Sequence, residues 1–300
     1  MTTRNGLLLI DKPQGLTSHD VVARVRKILS EKKVGHAGTL DPMATGLLVL
    51  AVGPSTRLLR FAQSEVKRYS GAVQFGVATD SLDADGVVVE ERPVPVLTTE
   101  TVDAATNAML GSQTQTPPMV SAIQIDGQRL HELARRGVEV ERPAREITVS
   151  GFTLTPTDDN TVWRFMIECS VGTYVRVLLS DLAQRLGTVG HLIELRRLAS
   201  GAHSVEDAMT LDALADTVEH GGMVLAPPAT FVAGLDLVTL SADQARAMRM
   251  GQRVTFAKLF HGEEIAAMDV DGELVGILSR RNDSWKPELV LAPPDTSARG

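Results

Sequence analysis

A single cysteine, Cys169, stands among 300 residues, which excludes an internal disulfide framework and a zinc site built from several thiolates. Positive charge is not in excess either: 30 Lys and Arg face 37 Asp and Glu, a formal net charge of −7 at pH 7. The total therefore announces no nucleic-acid partner, although phosphate binding depends on where the cations lie rather than on their sum. Long apolar runs are missing. The run Leu47 to Val52 falls far short of the roughly 20 residues that span a bilayer. Met1 to Ile10 holds one Arg and an apolar stretch of four residues from Leu7, too short for a secretory signal. These absences lead to the expectation of a soluble, cytoplasmic protein without membrane association. No G-x-x-x-x-G-K-[ST] cradle is present, His131-Glu132 is not completed as H-E-x-x-H, and Gly53-Pro-Ser55-Thr-Arg57 lacks the second glycine of a nucleophile elbow.

What is present suits ordinary globular packing, with 43% hydrophobic and 22% charged residues over a length comfortable for two domains. Trp163, Phe165, Ile167 and Cys169 alternate with Val162, Arg164, Met166 and Glu168, a period-2 pattern with one apolar face. Tyr69, Gly71, Val73, Phe75 and Val77 repeat it, and Gly46–Val52 and Val87–Val89 read as further strands. Helical spacing covers His19–Leu29, Thr99–Gly111, Leu130–Gly137, Tyr174–Leu186 and Thr210–Glu219. Without regular strand–helix alternation, the expected class is α+β around a largely antiparallel sheet. After the proline-containing stretch Leu225–Thr230, the texture changes to short β-like pieces at Arg253–Phe256, Glu264–Met268, Leu274–Leu278 and Leu289–Leu291, with a helix over Ser241–Met250. This gives domains at 1–234 and 235–292, and a frayed tail at 293–300.

Chemistry concentrates in Gly35-His36-Ala37-Gly38-Thr39-Leu40-Asp41-Pro42-Met43-Ala44-Thr45-Gly46. Pro42 pushes Asp41 out of the helical region, so its carboxylate is expected to project from a loop. Taken alone, an Asp-Pro pair is a common turn. Here the flanking glycines let a ligand approach the backbone, and the apolar run that follows would anchor the loop on a buried strand. In Gly172-Thr173-Tyr174-Val175-Arg176, Thr173 reads as a helix N-cap. Arg176 then falls in the first turn, where the helix dipole disfavours a cation unless a carboxylate such as Asp41 offsets it. Asp80-Ser-Leu-Asp83-Ala-Asp85-Gly86 superficially suggests a calcium loop, but Arg92 at position 12 cannot coordinate the ion. On local chemistry it reads as a solvated acidic turn.

These segments together resemble the TruB family of pseudouridine synthases. The resemblance rests on the Gly35–Gly46 motif, the opening Leu8-Leu-Ile-Asp11-Lys12-Pro13-Gln-Gly15-Leu-Thr17-Ser18, and Lys67-Arg68-Tyr69. Thr79–Gly86, Pro117–Ala122, Gly172–Arg176 and Leu195-Arg196-Arg197 follow in the family's order. Gln124 and His131 stand where many members carry a basic residue and a tyrosine. The C-terminal piece, with Gly276-Ile-Leu and Lys286-Pro287, is similar to a PUA domain, an RNA-binding module.

The resemblance implies a pseudouridine synthase fold, a mainly antiparallel mixed sheet with a small β-rich PUA-like domain. It implies isomerisation of uridine to pseudouridine at position 55 in the T-loop of tRNA, by base flipping and with no cofactor or metal. Asp41 would be the essential carboxylate, whether it attacks C1′, attacks C6 or removes the C2′ proton. Arg176 would keep it ionised. Tyr69 would stack on the extruded base and assist removal of the C5 proton. His36 would fill or brace the disrupted RNA loop, and Tyr174 and Leu195 would line the nucleoside pocket. The T-arm would be the main contact, with the acceptor end reached through the second domain. Cation groups at Arg24–Lys33, at Arg129–Arg145 and at Arg196-Arg197 would face phosphate. The short chain and the lack of basic tails argue for stand-alone action, against a guide-RNA-dependent synthase that needs protein partners, and a monomer is expected. The intact Asp41, Tyr69 and Arg176 set argues against a pure RNA chaperone.

Overall fold

The structure is a computed structural model and describes residues 4–63, 66–119, 140–257 and 259–291, with the short pieces 124–125 and 128–129. The expected helix at Leu130–Gly137, Val120–Ala122 of the proline-rich motif, His131, Arg135, Arg136 and the tail at 293–300 lie outside the described residues.

A mixed sheet forms the centre. Its strands are β1 (Gly6–Lys12), β2 (Thr45–Val52), β3 (Lys67–Phe75), β4 (Gly111–Gln115), β5 (Arg145–Pro156), β6 (Val162–Cys169) and β7 (Gly190–Ser200). They lie in the order β1-β2-β7-β3-β6-β5-β4. Every neighbouring pair on that path is antiparallel except β2 and β7, which run parallel through Arg196↔Thr45 and Arg197↔Gly46. The α+β class with a mainly antiparallel mixed sheet is thus the observed one. The backbones of β2 and β7 close in at Gly46, whose φ is +97° and whose hypothetical Cβ would stand 2.3 Å from the Arg197 carbonyl oxygen. Only glycine fits there.

Helices α1 (Ser18–Leu29), α2 (Thr99–Asn107), α3 (Val175–Arg185) and α4 (Leu211–Glu219) cover the sheet. Helix α1 starts at a capping box, with Thr17 and Asp20 each taking the other's backbone N–H. The buried side chains of β6 are Trp163, Phe165, Ile167 and Cys169, as their alternation requires, and they share a core with Leu178, Leu179 and Leu182 of α3. The β3 pattern stops earlier than Val77, because Gly76 turns the chain at φ +94°.

Strand β2 explains why its sequence is uniformly apolar rather than alternating. Leu48, Leu50 and Val52 pack under α1 and α4, against Val21, Val25 and Leu214. Leu47, Val49 and Ala51 face the opposite side, where they meet Ala266, Leu274, Ile277, Leu289 and Leu291. A strand covered on both faces has no solvent side to reserve for polar residues.

Of those last residues, all but Leu291, which directly follows the last strand, belong to a second sheet of β8 (Asp236–Thr239), β9 (Glu264–Met268), β10 (Leu274–Arg281) and β11 (Ser284–Val290), in that order, with α5 (Ala242–Arg249) packed on it. The expected strand at Arg253–Phe256 is reduced to one bridge, Val254↔Trp285, since Phe256 turns inward to a cluster with Phe260 and Trp285. Among the described residues, no helix is long and apolar enough to cross a membrane.

Candidate active site

The loop from Ala37 to Ala44 leaves the short strand Val34–His36 and returns as β2, so both ends are tied to the sheet. Two buried cations hold it from below. Lys12, at the end of β1, donates Nζ–H to the carbonyls of Leu16 at 2.6 Å, Pro13 at 3.0 Å and Pro42 at 3.3 Å. Arg197 of β7 donates from Nε to Leu47 at 2.7 Å, from Nη2 to Gly38 at 3.2 Å and from Nη1 to Thr39 at 3.4 Å. Burial pulls the Lys12 ammonium down to about 8, with the Asp41 carboxylate opposing.

Asp41 projects from this loop toward the start of α3. Its Oδ2 lies 3.1 Å from Nε of Arg176, whose side chain is 3% exposed. The Nη1 of the same guanidinium reaches Oδ2 of Asp83 at 3.2 Å and donates to the Ser81 carbonyl at 2.7 Å. One arginine thus stands between two carboxylates. Burial pushes the Asp41 carboxyl above its ordinary value; Arg176 pulls it back, and the Asp83 charge adds to the rise.

Asp83 corrects the reading of its segment as a solvated turn. Its side chain is 7% exposed, and its Oδ1 accepts from the Ser81 hydroxyl and the Asp85 N–H. The left-handed Leu82 and the bond from the Leu192 N–H to the Leu82 carbonyl fold this loop onto β7, next to Arg176. The N-terminus of α3 also differs from expectation. Tyr174, not Thr173, holds the N-cap position, and the Thr173 hydroxyl is spent on the Ser170 carbonyl at 2.9 Å. No side chain caps the helix; Gln115 of β4 instead pins the backbone of Tyr174, accepting from its N–H at 2.8 Å and donating to its carbonyl at 3.1 Å.

A cavity of about 330 Å³ opens above these groups. Asp41, Lys67, Tyr69, Tyr174, Arg176, Leu195 and Arg197 line it, together with the segments Gly38–Leu40 and Ser170–Thr173. Its size falls at the lower end for small-ligand sites, where one nucleoside fits. Gly38 has φ +137°, and a Cβ there would stand 3.2 Å from Nζ of Lys67 on the cavity wall. Burial raises the Tyr69 hydroxyl above its ordinary value, while Arg197 works against the rise. Arg145 sits 5.8 Å above the Tyr174 ring, a cation–π contact at the cavity's edge.

Of the six residues singled out in the sequence, five line one cavity: Asp41, Tyr69, Tyr174, Arg176 and Leu195. His36 is apart from it. Its ring packs edge-to-face on His19 at 5.5 Å, and its Nδ1 accepts from the Gly38 N–H at 3.4 Å. Burial lowers its pKa, with His19 and Arg197 adding to the effect. The expected cation clusters also divide. Arg197 is 2% exposed and faces inward, so it presents no phosphate-binding surface. Arg196 makes a two-point contact with Asp11 at 2.8 and 3.0 Å. Arg26 donates to the Val34 carbonyl at 2.8 Å.

The arrangement defines a class of site: one partly exposed carboxylate, held by a buried arginine that a second, buried carboxylate anchors, on the wall of a nucleoside-sized cavity. The comparisons name the lineage. The family model described as TruB family pseudouridylate synthase (N terminal domain) matches residues 26–175, and that described as tRNA pseudouridylate synthase B C-terminal domain matches 176–223. The chain is 40% identical over 293 residues to "tRNA pseudouridine synthase B" of Streptococcus sanguinis (strain SK36), covering 96% of this chain and 99% of that one. It is 50% identical over 214 residues to the protein of the same name from Opitutus terrae, covering 70% and 87%. In fold it is similar to a chain of "Crystal Structure of a Cbf5-Nop10-Gar1 Complex", with a TM-score of 0.74 at 24% identity over 97% of this chain and 86% of that one. The chain belongs to the TruB family of pseudouridylate synthases.

Proposed function

We propose that this protein isomerises uridine to pseudouridine at position 55, in the T-loop of tRNA. The observation that carries the reading is the Asp41–Arg176–Asp83 array at a cavity of nucleoside size, beside Tyr69. The reaction breaks the N1–C1′ bond and joins C1′ to C5; C5 loses a proton and N1 gains one. Nothing is oxidised or reduced, so one well-held carboxylate and a closed pocket suffice. Burial makes Asp41 a stronger base and nucleophile than a solvated aspartate, and Arg176 keeps it available as the anion. The target base leaves its stack at a cost of a few kcal/mol and enters the cavity against Tyr69, Tyr174 and Leu195. His36, outside the cavity, braces the RNA loop that the base has left.

Residues 1–234 form the catalytic unit in this reading. Residues 235–292 form a PUA-like unit that reaches the acceptor end of tRNA. The protein acts as a cytoplasmic monomer without an obligatory protein partner, cofactor or metal. Incubation with unmodified tRNA, followed by mapping of pseudouridine at nucleotide resolution, tests the reading. One modified uridine is expected, at position 55, and none with Asp41→Asn. Modification elsewhere, or undiminished turnover by the variant, would overturn it.

A further inference from the structure

Arg197 lies directly opposite Tyr69, because the antiparallel register of β7 and β3 pairs these two positions. It is among the largest fully buried side chains of the protein. A buried guanidinium is costly unless a carboxylate answers it. Among the described residues, no carboxylate lies within ion-pair distance of Arg197. Its donors go to the carbonyls of Gly38, Thr39 and Leu47, and its place directly across from Tyr69 sets both side chains on the wall of the same cavity. Gly38 and Thr39 lie just before Asp41 on the same loop. A residue serving the core alone would do better as an apolar side chain of equal volume.

We infer that Arg197 is a positioning residue of the reaction: one planar guanidinium fixes the loop that carries Asp41 in register with Tyr69 on the neighbouring strand. The inference rests on the proposed isomerisation. Base rotation demands that the carboxylate and the stacking ring keep their separation while the uracil turns between them. Catalytic geometry tolerates errors of about half an ångström, and displacement by about 1 Å costs on the order of 100-fold in rate. Neighbouring strands alone do not set that separation, since Asp41 sits on a loop and Tyr69 on β3. Arg197 holds the loop through its carbonyls and stands directly across from Tyr69. Lysine cannot replace it, because an ammonium is a point charge and lacks the fork that meets several acceptors at once.

The test compares Arg197→Lys and Arg197→Met with the parent protein on a T-arm stem-loop. Both variants are expected to melt as folded proteins and to bind the stem-loop within about threefold of the parent, while the single-turnover rate falls on the order of 100-fold. A second measurement does not depend on turnover. The chain has only two tyrosines, so in a Tyr174→Phe background the absorbance of phenolate reports Tyr69 alone. Adding Arg197→Met to that background is expected to move the Tyr69 titration to higher pH, because the neighbouring cation that favours phenolate is gone. A Lys variant that turns over within twofold of the parent would overturn the proposal, as would an unmoved Tyr69 titration. Loss of the fold in the Lys variant, which keeps the charge and the stem, would assign Arg197 to stability and overturn it too. If the parent itself makes no pseudouridine but the titration moves, the proposed function fails and the influence of Arg197 on Tyr69 stands.

Discussion

Asp83→Asn is the substitution that separates the two carboxylates on Arg176. Asparagine keeps the shape and the Oδ1 that accepts from Ser81 and Asp85, and it removes the charge 3.2 Å from Nη1. Its amide hydrogens would then confront the guanidinium hydrogens. At the screening typical of proteins, a pair at about 4 Å is worth about 4 kcal/mol, and breaking a buried pair outright costs about 3–5 kcal/mol. Arg176 retains Asp41 and the Ser81 carbonyl, so the expected loss is smaller, about 2–3 kcal/mol, measured as the shift of a urea unfolding curve at constant slope. The same change acts on Asp41. Its carboxyl loses an upward influence and has the guanidinium to itself, so it titrates lower and is held more tightly. Single-turnover rates on a T-arm stem-loop are therefore expected to fall at least about tenfold, with the acidic limb of the pH profile displaced downward. A variant within about 0.5 kcal/mol of the parent, with its acidic limb unmoved, would show that Asp83 does not anchor Arg176.

Three further outcomes are expected. Asp41→Asn should abolish turnover while leaving stem-loop affinity within a few-fold; because the native carboxyl is raised, the parent loses stability as pH climbs from the usual carboxylate range through that raised value, and melting followed as a function of pH should show this slope flattened in the variant. Gly46→Ala forces a side chain into φ +97° and against the Arg197 carbonyl, a cost of about 1–3 kcal/mol for the backbone alone, to be read as a lowered melting temperature. Deleting residues 236–300 uncovers Leu7, Leu47, Val49 and Leu58, at about 1.5–3 kcal/mol for each side chain against a typical total stability of about 5–15 kcal/mol, so circular dichroism should show an unfolded or aggregated product; a cooperative melt near that of the full chain would refute it.

The parts of this site that sequence reasoning reaches are those whose chemistry is local. Asp41 announces itself through Pro42 and the surrounding glycines, and the α3 start through Gly172 and the amphipathic β6 before it. Strand pattern carries further than it first seems. Leu195 and Arg197 share a parity on β7, as Leu8, Ile10 and Lys12 do on β1, and in both cases the apolar members predict that the cation points inward. Read as part of an Arg-Arg pair, Arg197 looks instead like a phosphate contact. Asp83 has no such signal. Three acidic residues within a few positions describe a solvated turn on any local scale, and its burial comes from a long-range meeting of its loop with β7 and α3. The shared core of the two sheets is hidden for a related reason. The run Leu47–Val52 shows that both faces are covered, but not by what.

That doubly enclosed strand also sets how the protein fails with heat. Catalytic loops are often the first parts to melt, so that activity fades well below the global transition. Here the loop bearing Asp41 runs directly into β2, whose amides from Gly46 to Val52 lie between β1 and two other strands, beneath layers on both sides. Opening the loop at its β2 end means opening the centre of the molecule. The amides of β2 should exchange with solvent only through global unfolding, and thermal inactivation should coincide with the cooperative melt rather than precede it.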